Sequence, residues 1–399
     1  MRMLICLFFL LSVLAASPQS LTRSPQSLAG SPQSFYLFVG TYTNLGSNTP
    51  APPKDSTGSK GIYVYRWDAA TGHATLLSHT EGVVNPSYLA VAPDGHHIYA
   101  GTDTRTMNAG SISAFAFDRE SGTLHLINKQ PSGGDNPVYV SIHSSGRWAV
   151  MAMYTGGTLS AFPIQADGSL LPYRQNIQHT GHGVDTTRQA KPHVHSVVFS
   201  PDQRYVYAQD LGTDKIMIYR WGDTVQGHLL LQAAGAVTAV PGSGPRHLTF
   251  HPNGKYAYLA EEMGGQVDVY RYHPENGQFD SLQRIPAHVA AAAGPFAGAD
   301  IHVSPDGRFL YVSNRGTENT ITIFSIDPAT GTLRTVGYQP VFGKEPRNFT
   351  LDPSGQFLLV ANQNSNSIVL FRVDRQTGLL QATGEEIAVP SPSCLKMMP

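Results

Sequence analysis

The chain is poor in cysteine: Cys6 and Cys394 are the two in its 399 residues. Cys6 lies inside an N-terminal apolar run, so the folded part has one thiol; this excludes an intramolecular disulfide framework and makes Cys394 a packing residue. Charge is scarce too. Asp, Glu, Lys and Arg make up 14% of the residues, the formal net charge is −1, and lysines and arginines form no runs. The electrostatic footprint of a nucleic-acid binder or of a protein docking on anionic membranes is therefore missing, and a small neutral or anionic molecule is the expected partner. Also absent are a G-x-S-x-G elbow, a Walker loop, a dinucleotide fingerprint and an H-E-x-x-H motif. No cofactor and no metal are expected.

The N-terminus reads MRMLICLFFLLSVLAAS, with Arg2 ahead of an apolar stretch from Leu4 to Leu14 and small Ala15, Ala16 and Ser17 behind it. This is the pattern of a signal peptide over residues 1–16, and the run is too short for a confident membrane span; an uncleaved anchor is the alternative. Cys6 sits within the apolar run rather than after it, against a lipoprotein site. Residues 17–34 repeat SPQS every seven positions. Proline in each repeat makes them an extended linker rather than a coiled coil. The expectation is an exported protein, periplasmic or extracellular, without stable membrane insertion after cleavage, and a monomer or weak dimer.

What is abundant is turn chemistry, with 39 glycines and 28 prolines. From residue 35 onward, alternating apolar residues followed by Pro-Asp-Gly or a variant recur at 89–95 (LAVAPDG), 140–146, 197–203, 248–254, 301–307 and 349–355. The interval is near fifty residues. Apolar period two at that spacing predicts propeller blades, not helical solenoids. Each unit reads as four strands, as in ADIHVSPDG, RFLYVSNRG, NTITIFSIDPATG and TLRTVGYQP. The first copy, FYLFVGTYT (35–43), lacks an inner strand, and the C-terminal PSCLKMMP aligns with the inner-strand segment PSYLAVAP. The fold class is therefore all-β: one seven-bladed propeller over 35–399, closed by the C-terminal strand pairing into blade 1.

In such a ring the starts of the inner strands and the ends of the second strands gather at one mouth of the channel, while the Pro-Asp-Gly turns lie on the opposite face. The starts offer Asn85, Asn136, His193, His195, Arg246, His247, Asp300, His302, Arg347 and Asn348. The ends offer Thr41, Tyr42, Asp103, Tyr154, Asp210, Glu261, Glu262, Asn314, Arg315, Asn362 and Gln363. Insertions at 44–60, 174–190 and 287–298 fall on the same face and are positioned to rim a pocket. Several roles stay open. His193 and His195 share one side of a strand and suit a metal pair or hydrogen-bonded core histidines. Glu262 suits catalysis or a structural ion pair with Arg246, and Arg315 and Arg347 suit anion binding or blade bridging.

The segments VGTYT, HSVVFSPDQRYVY, GPRHLTFHPNGKYAYLAEE, IHVSPDGRFLYVSNRG and PRNFTLDPSGQFLLVANQNS resemble the seven-bladed propeller lactonases. That family includes propeller-type 6-phosphogluconolactonases and fungal carboxy-muconate cycloisomerases. The resemblance covers essentially all of 35–399 and implies catalytic roles for His195, Arg246, Glu262 and Arg315. His193, Asp210, His247, His302, Asn314, Arg347, Asn362 and Gln363 are the accompanying substrate-binding candidates.

The expected reaction is hydrolysis of a sugar lactone. His195 or Glu262 serves as general base, and Arg246 and Arg315 hold the oxyanion or an acidic group of the substrate. The resemblance implies a 6-phosphogluconolactonase-like activity, while the export signal, at odds with a cytosolic sugar phosphate, leaves open whether the substrate is phosphorylated or an unphosphorylated aldonolactone. The alternatives are a muconate-type cycloisomerase and a non-enzymatic secreted propeller that binds carbohydrate or peptide at the channel mouth.

Overall fold

The computed structural model describes residues 34–44, 57–103, 107, 109–222, 230–289 and 294–399. The expected signal peptide, nearly all of the linker and part of the 44–60 insertion lie outside them. Among the described residues no helix is long and apolar enough to cross a membrane.

The strands form seven four-stranded antiparallel sheets. Six take their strands in chain order, as blade 4 does with Val194–Phe199, Tyr205–Asp210, Lys215–Trp221 and Leu231–Thr238. Blade 1 is the exception. Its inner strand is the C-terminal Pro392–Met398, paired antiparallel with Ser34–Thr41 in the register Tyr36↔Met398 to Gly40↔Cys394. That strand also packs against the inner strands of blade 7 (Pro346–Leu351) and blade 2 (Pro86–Val91). The ring is thus closed, as the repeat arithmetic required, and no inner strand is left as an open edge.

Apolar residues from the middle strands of neighbouring blades interlock between the sheets, as where Phe309, Tyr311 and Ile323 of blade 6 meet Phe349, Leu358 and Phe371 of blade 7. A repeated clamp ties blade to blade. The second-strand tyrosines Tyr99, Tyr207, Tyr258 and Tyr311 are buried, and each donates its hydroxyl proton to a backbone carbonyl in the next blade: Gly168, Gly277, Gly331 and Gly378. This solves the problem of burying a phenol, because ring and hydroxyl are both satisfied.

Two local devices set the faces of the ring. At the bottom, inner and second strands join through turns with an i+3 amide to i carbonyl bond, such as Gly95 to Ala92 and Gly307 to Ser304. The fourth turn residue takes positive φ, which favours glycine. Blade 4 has Gln203 there instead, at φ 60°, with its side-chain carbonyl accepting from the Ser144 amide. At the top, every inner strand carries a β-bulge near its start: the register jumps across Ser87, Val138, His195, Arg246, Arg347 and Ser393, and across Ala299–Asp300 in blade 6. A bulge inserts a residue that opposes no partner and re-aims its side chain. Three of these inserted residues are His195, Arg246 and Arg347.

Candidate active site

The structure brings His195, Arg246, Glu262 and Arg315 into one cluster at the channel mouth. Glu262 is at its centre and is buried. Its Oε2 accepts from Arg246 Nε at 2.9 Å, lies 3.1 Å from Arg315 Nη2, and faces His195 Nε2 at 3.8 Å. Its Oε1 is bonded by Arg188 Nη2. Burial alone would raise the carboxyl pKa, but Arg315, Arg246 and Arg188 overcome it and hold the group down at about 2. Glu262 is thus a fixed anion at neutral pH.

Arg246 is 2% exposed. Besides Glu262 it donates from Nη1 to the Ala299 carbonyl at 2.7 Å and to His247 Nε2 at 3.2 Å. Burial, reinforced by Arg315, lowers its pKa to about 10, so it stays protonated. Arg315 is half-buried, donates to the carbonyls of Ala297 and Gly298, and pairs with Glu345 Oε1 at 3.2 Å. Arg347 lies over the Tyr42 ring, 5.3 Å from its centroid. Among the described residues no carboxylate comes within ion-pair distance of it, although burial is outweighed by the fields of Tyr42, Asp103, Glu262 and Glu345 and its pKa is raised. Among the described residues, Arg347 is thus a cation of the mouth that forms no ion pair.

His195 is 5% exposed and wedged edge-on against Tyr154 and His247, with ring centroids at 5.4 and 5.3 Å. Its Nδ1 is sealed from solvent and makes no hydrogen bond. Its Nε2 stands 3.8 Å from Glu262 Oε2, beyond hydrogen-bond distance. Burial first, then Arg246, His247, Arg347 and Arg315, push the imidazole well below its usual pKa. The ring is neutral at pH 7 and able to accept a proton.

The remaining candidates divide by an alternation. In blades 4 to 7 the last residue of the second strand points away from the channel, and the next one points toward it. Asp210 is fully buried; its Oδ1 accepts from the amides of His193 and Gly212, and its Oδ2 from His179 Nδ1 at 2.8 Å. Asn314 donates to the Ala287 carbonyl and to Thr322, and Asn362 to the Val341 carbonyl. Among the described residues these three brace strand ends through the bonds given, while Asn362 Oδ1 is left without a partner. Glu262, Arg315 and Gln363 occupy the following, inward position. His193 stacks on Tyr154 at 4.4 Å and donates from Nδ1 to the Tyr154 carbonyl at 2.9 Å, at the rim. His302 is two residues further along its strand than Asp300, roughly 6.6 Å by strand geometry. It faces the lower channel with His247, not the mouth. His247 donates from Nδ1 to Asp300 Oδ1 at 2.7 Å while accepting from Arg246, which fixes its neutral tautomer. Burial, then Arg246, lower its pKa to about 4.

Arg188 was not among the candidates. It lies in the loop that follows blade 3's outer strand, Gln175–Gln178, which takes up the start of the 174–190 segment expected to be an insertion, and only the prediction that this segment rims the mouth pointed toward it. Among the described residues no group of three His, Cys, Asp or Glu side chains could hold a metal ion.

Glu261, the outward neighbour of Glu262, shares Arg284 with Asp268: Arg284 Nη2 donates to Glu261 Oε2 at 2.6 Å and its Nε lies 3.5 Å from Asp268 Oδ1. Two buried carboxylates on one largely exposed cation cannot both ionise freely, and burial with Asp268 raises the Glu261 pKa from 4.5 to about 7. A raised acid pKa means that folding binds the proton more tightly, so stability is fullest below pH 4.5 and is lost as pH rises through 7. Glu261→Gln removes that loss. At pH 8 the variant should melt about 1–3 °C above the parent, and the difference should vanish near pH 4.5 in paired thermal melts.

Comparison with known proteins places this architecture. The family model described as "Lactonase, 7-bladed beta-propeller" matches residues 36–397, and the chain belongs to that family. A protein of Formosa agariphila named 6-phosphogluconolactonase is 40% identical over 362 residues, 90% of this chain and 99% of that one. A Bacillus subtilis protein of the same name is 34% identical over 361 residues, 90% and 97% of the two chains. The solved structure of a Pseudomonas aeruginosa periplasmic gluconolactonase aligns with TM-score 0.83 and 38% identity, over 92% of this chain and 99% of that one.

Proposed function

We propose that this protein hydrolyses a sugar lactone at the mouth of its channel, with His195 as general base. The observation that carries the reading is a neutral, buried imidazole whose Nε2 faces a permanently ionised carboxylate across a 3.8 Å gap, among guanidinium groups. A water bonded to His195 Nε2 on its open side donates its proton to that nitrogen as its oxygen attacks the lactone carbonyl carbon. The new imidazolium is stabilised by Glu262, whose carboxylate is held ionised by Arg315, Arg246 and Arg188. Arg347, with no ion pair among the described residues, and the half-buried Arg315 stabilise the oxyanion. Collapse of the tetrahedral intermediate breaks the ring C–O bond. The imidazolium returns its proton to the departing alkoxide, giving the hydroxy acid, whose new carboxyl group then loses its proton to solvent. Arg246 touches no substrate in this scheme; its three bonds hold Glu262 and His247 in place, so it is a positioning residue.

We infer that the natural substrate is an unphosphorylated aldonolactone and that the protein is exported. The support is the N-terminal sequence and the likeness to a protein named as periplasmic. The test is a panel of gluconolactone, 6-phosphogluconolactone, other aldonolactones and muconates, assayed on purified protein with and without chelator. The expected result is chelator-insensitive turnover of lactones, with the unphosphorylated ones favoured by kcat/KM. Failure to open any lactone above the uncatalysed rate sinks the reading.

A further inference from the structure

The lower channel holds a second cluster that the mouth chemistry does not use. A cavity of about 380 Å³ opens among the bottom turns at Ser200–Pro201 and His251–Pro252 and reaches up to His247 and Asp300. That volume is in the range of small-molecule pockets, roughly 300–1,000 Å³. One wall is Lys396, from the closing strand. Its Nζ donates to the Tyr88 hydroxyl at 3.2 Å and sits 4.5 Å above the Tyr88 ring. Among the described residues no carboxylate comes within ion-pair distance of it. Asp300 is the nearest candidate counter-ion by field, but its oxygens are already taken: Oδ1 by His247 and the Ile301 amide, Oδ2 by His302 and Asn348.

Such an ammonium group, unneutralised in a half-enclosed cavity, is costly unless an anion comes to it. The other walls suit hydroxyl groups and ring faces. Tyr88 and Tyr139 stack at 4.0 Å, and Thr249 and His302 line the same space. Burial opposes the charged form of Lys396, yet the fields of Cys394, Tyr139 and Asp300 keep it protonated.

We propose that this lower cavity is a binding site for a small hydroxylated carboxylate, namely the aldonate formed by lactone opening, with Lys396 holding the carboxylate. The identity of the ligand rests on the lactonase reading above; the presence of an anion site does not. His247 gives the site a route to the mouth, since it lines the cavity and also accepts from Arg246. Occupancy there is positioned to act on the catalytic cluster from below.

The test is isothermal titration of the full chain with gluconate, 6-phosphogluconate and glucose, alongside lactone turnover. The parent should bind gluconate at two sites. Lys396→Met and Thr249→Glu, the second adding a like charge to the wall, should each weaken one site at least tenfold while leaving initial turnover unchanged; Lys396→Arg should restore binding, and Arg347→Ala should weaken the other site. If Lys396→Met does not fold, Thr249→Glu decides. Undiminished gluconate binding in the folded variants, glucose binding as tightly as gluconate, or binding of 6-phosphogluconate alone overturns the proposal. Loss of lactone turnover in the parent with the Lys396-dependent site intact would instead count only against the catalytic reading.

Discussion

Changing His195 to glutamine should lower kcat by about 10²–10⁴, the range for removal of a general base, and should leave the melting temperature almost unmoved. The second half is the diagnostic part. A buried histidine is ordinarily retained for its hydrogen bonds, but His195 Nδ1 has none and Nε2 stands 3.8 Å from Glu262. Glutamine keeps most of the bulk between Tyr154 and His247, so the fold loses little. The parent's pH profile provides an independent check. An imidazole of ordinary pKa is about three-quarters protonated at pH 6 and would lose most of its activity there. Because burial and four neighbouring groups push His195 well below that range, kcat corrected for background hydrolysis should be nearly level between pH 7 and 6. A fall of threefold or more in that interval would mean that a different group is the base.

The second large effect is expected at Glu262. Glu262→Gln keeps the shape but leaves Arg188, Arg246 and Arg315 facing one another without their shared anion. Breaking a buried pair by removing one partner costs about 3–5 kcal/mol, which for a domain of this size is a fall of roughly 4–6 °C in Tm. Turnover should fall by about 10²–10³, as for loss of a preorganised charge. Glu262 and His195 are thus distinguishable: one substitution costs activity alone, the other activity and stability. The Glu262 contribution has its own pH signature. With its pKa depressed from 4.5 to about 2, its stabilisation is complete above pH 4.5 and disappears as pH falls through 2, so the Tm gap between parent and Glu262→Gln should close in strong acid. A variant as stable as the parent at pH 7 would contradict the ion cluster described above.

The ring, its count of seven and its closure were legible because each blade repeats the same alternation and turn, and because PSCLKMM supplies the strand that blade 1 lacks. Fixed offsets from those turns also placed the central four side chains at the mouth, but among many other candidates; the resemblance to the propeller lactonases singled them out. What escaped reading has a physical cause in each case. Asp210, Asn314 and Asn362 sit one residue before the inward position, and in an extended chain one residue reverses the direction of the side chain. His302 was carried to the wrong end of the channel because strand length along the axis cannot be judged from a motif. Arg188 belongs to a loop with no repeat register at all. The reassignment of Arg246 from anion holder to positioning residue also needed the structure, since only its bonds to the Ala299 carbonyl and His247 reveal that its donors are committed.

The bulge at the head of every inner strand makes the mouth interchangeable in its parts. The inserted residue has no partner in the ladder, so its identity is decoupled from strand pairing. Three blades use it for histidine or arginine, while blades 1, 2 and 3 place Ser393, Ser87 and Val138 there. The mouth is thus a keyboard of seven keys, three of which carry no ionisable side chain. A relative needing a different acid, base or anion contact could acquire one at Ser87 or Val138 by a single substitution, on a scaffold whose closure and core never register the change.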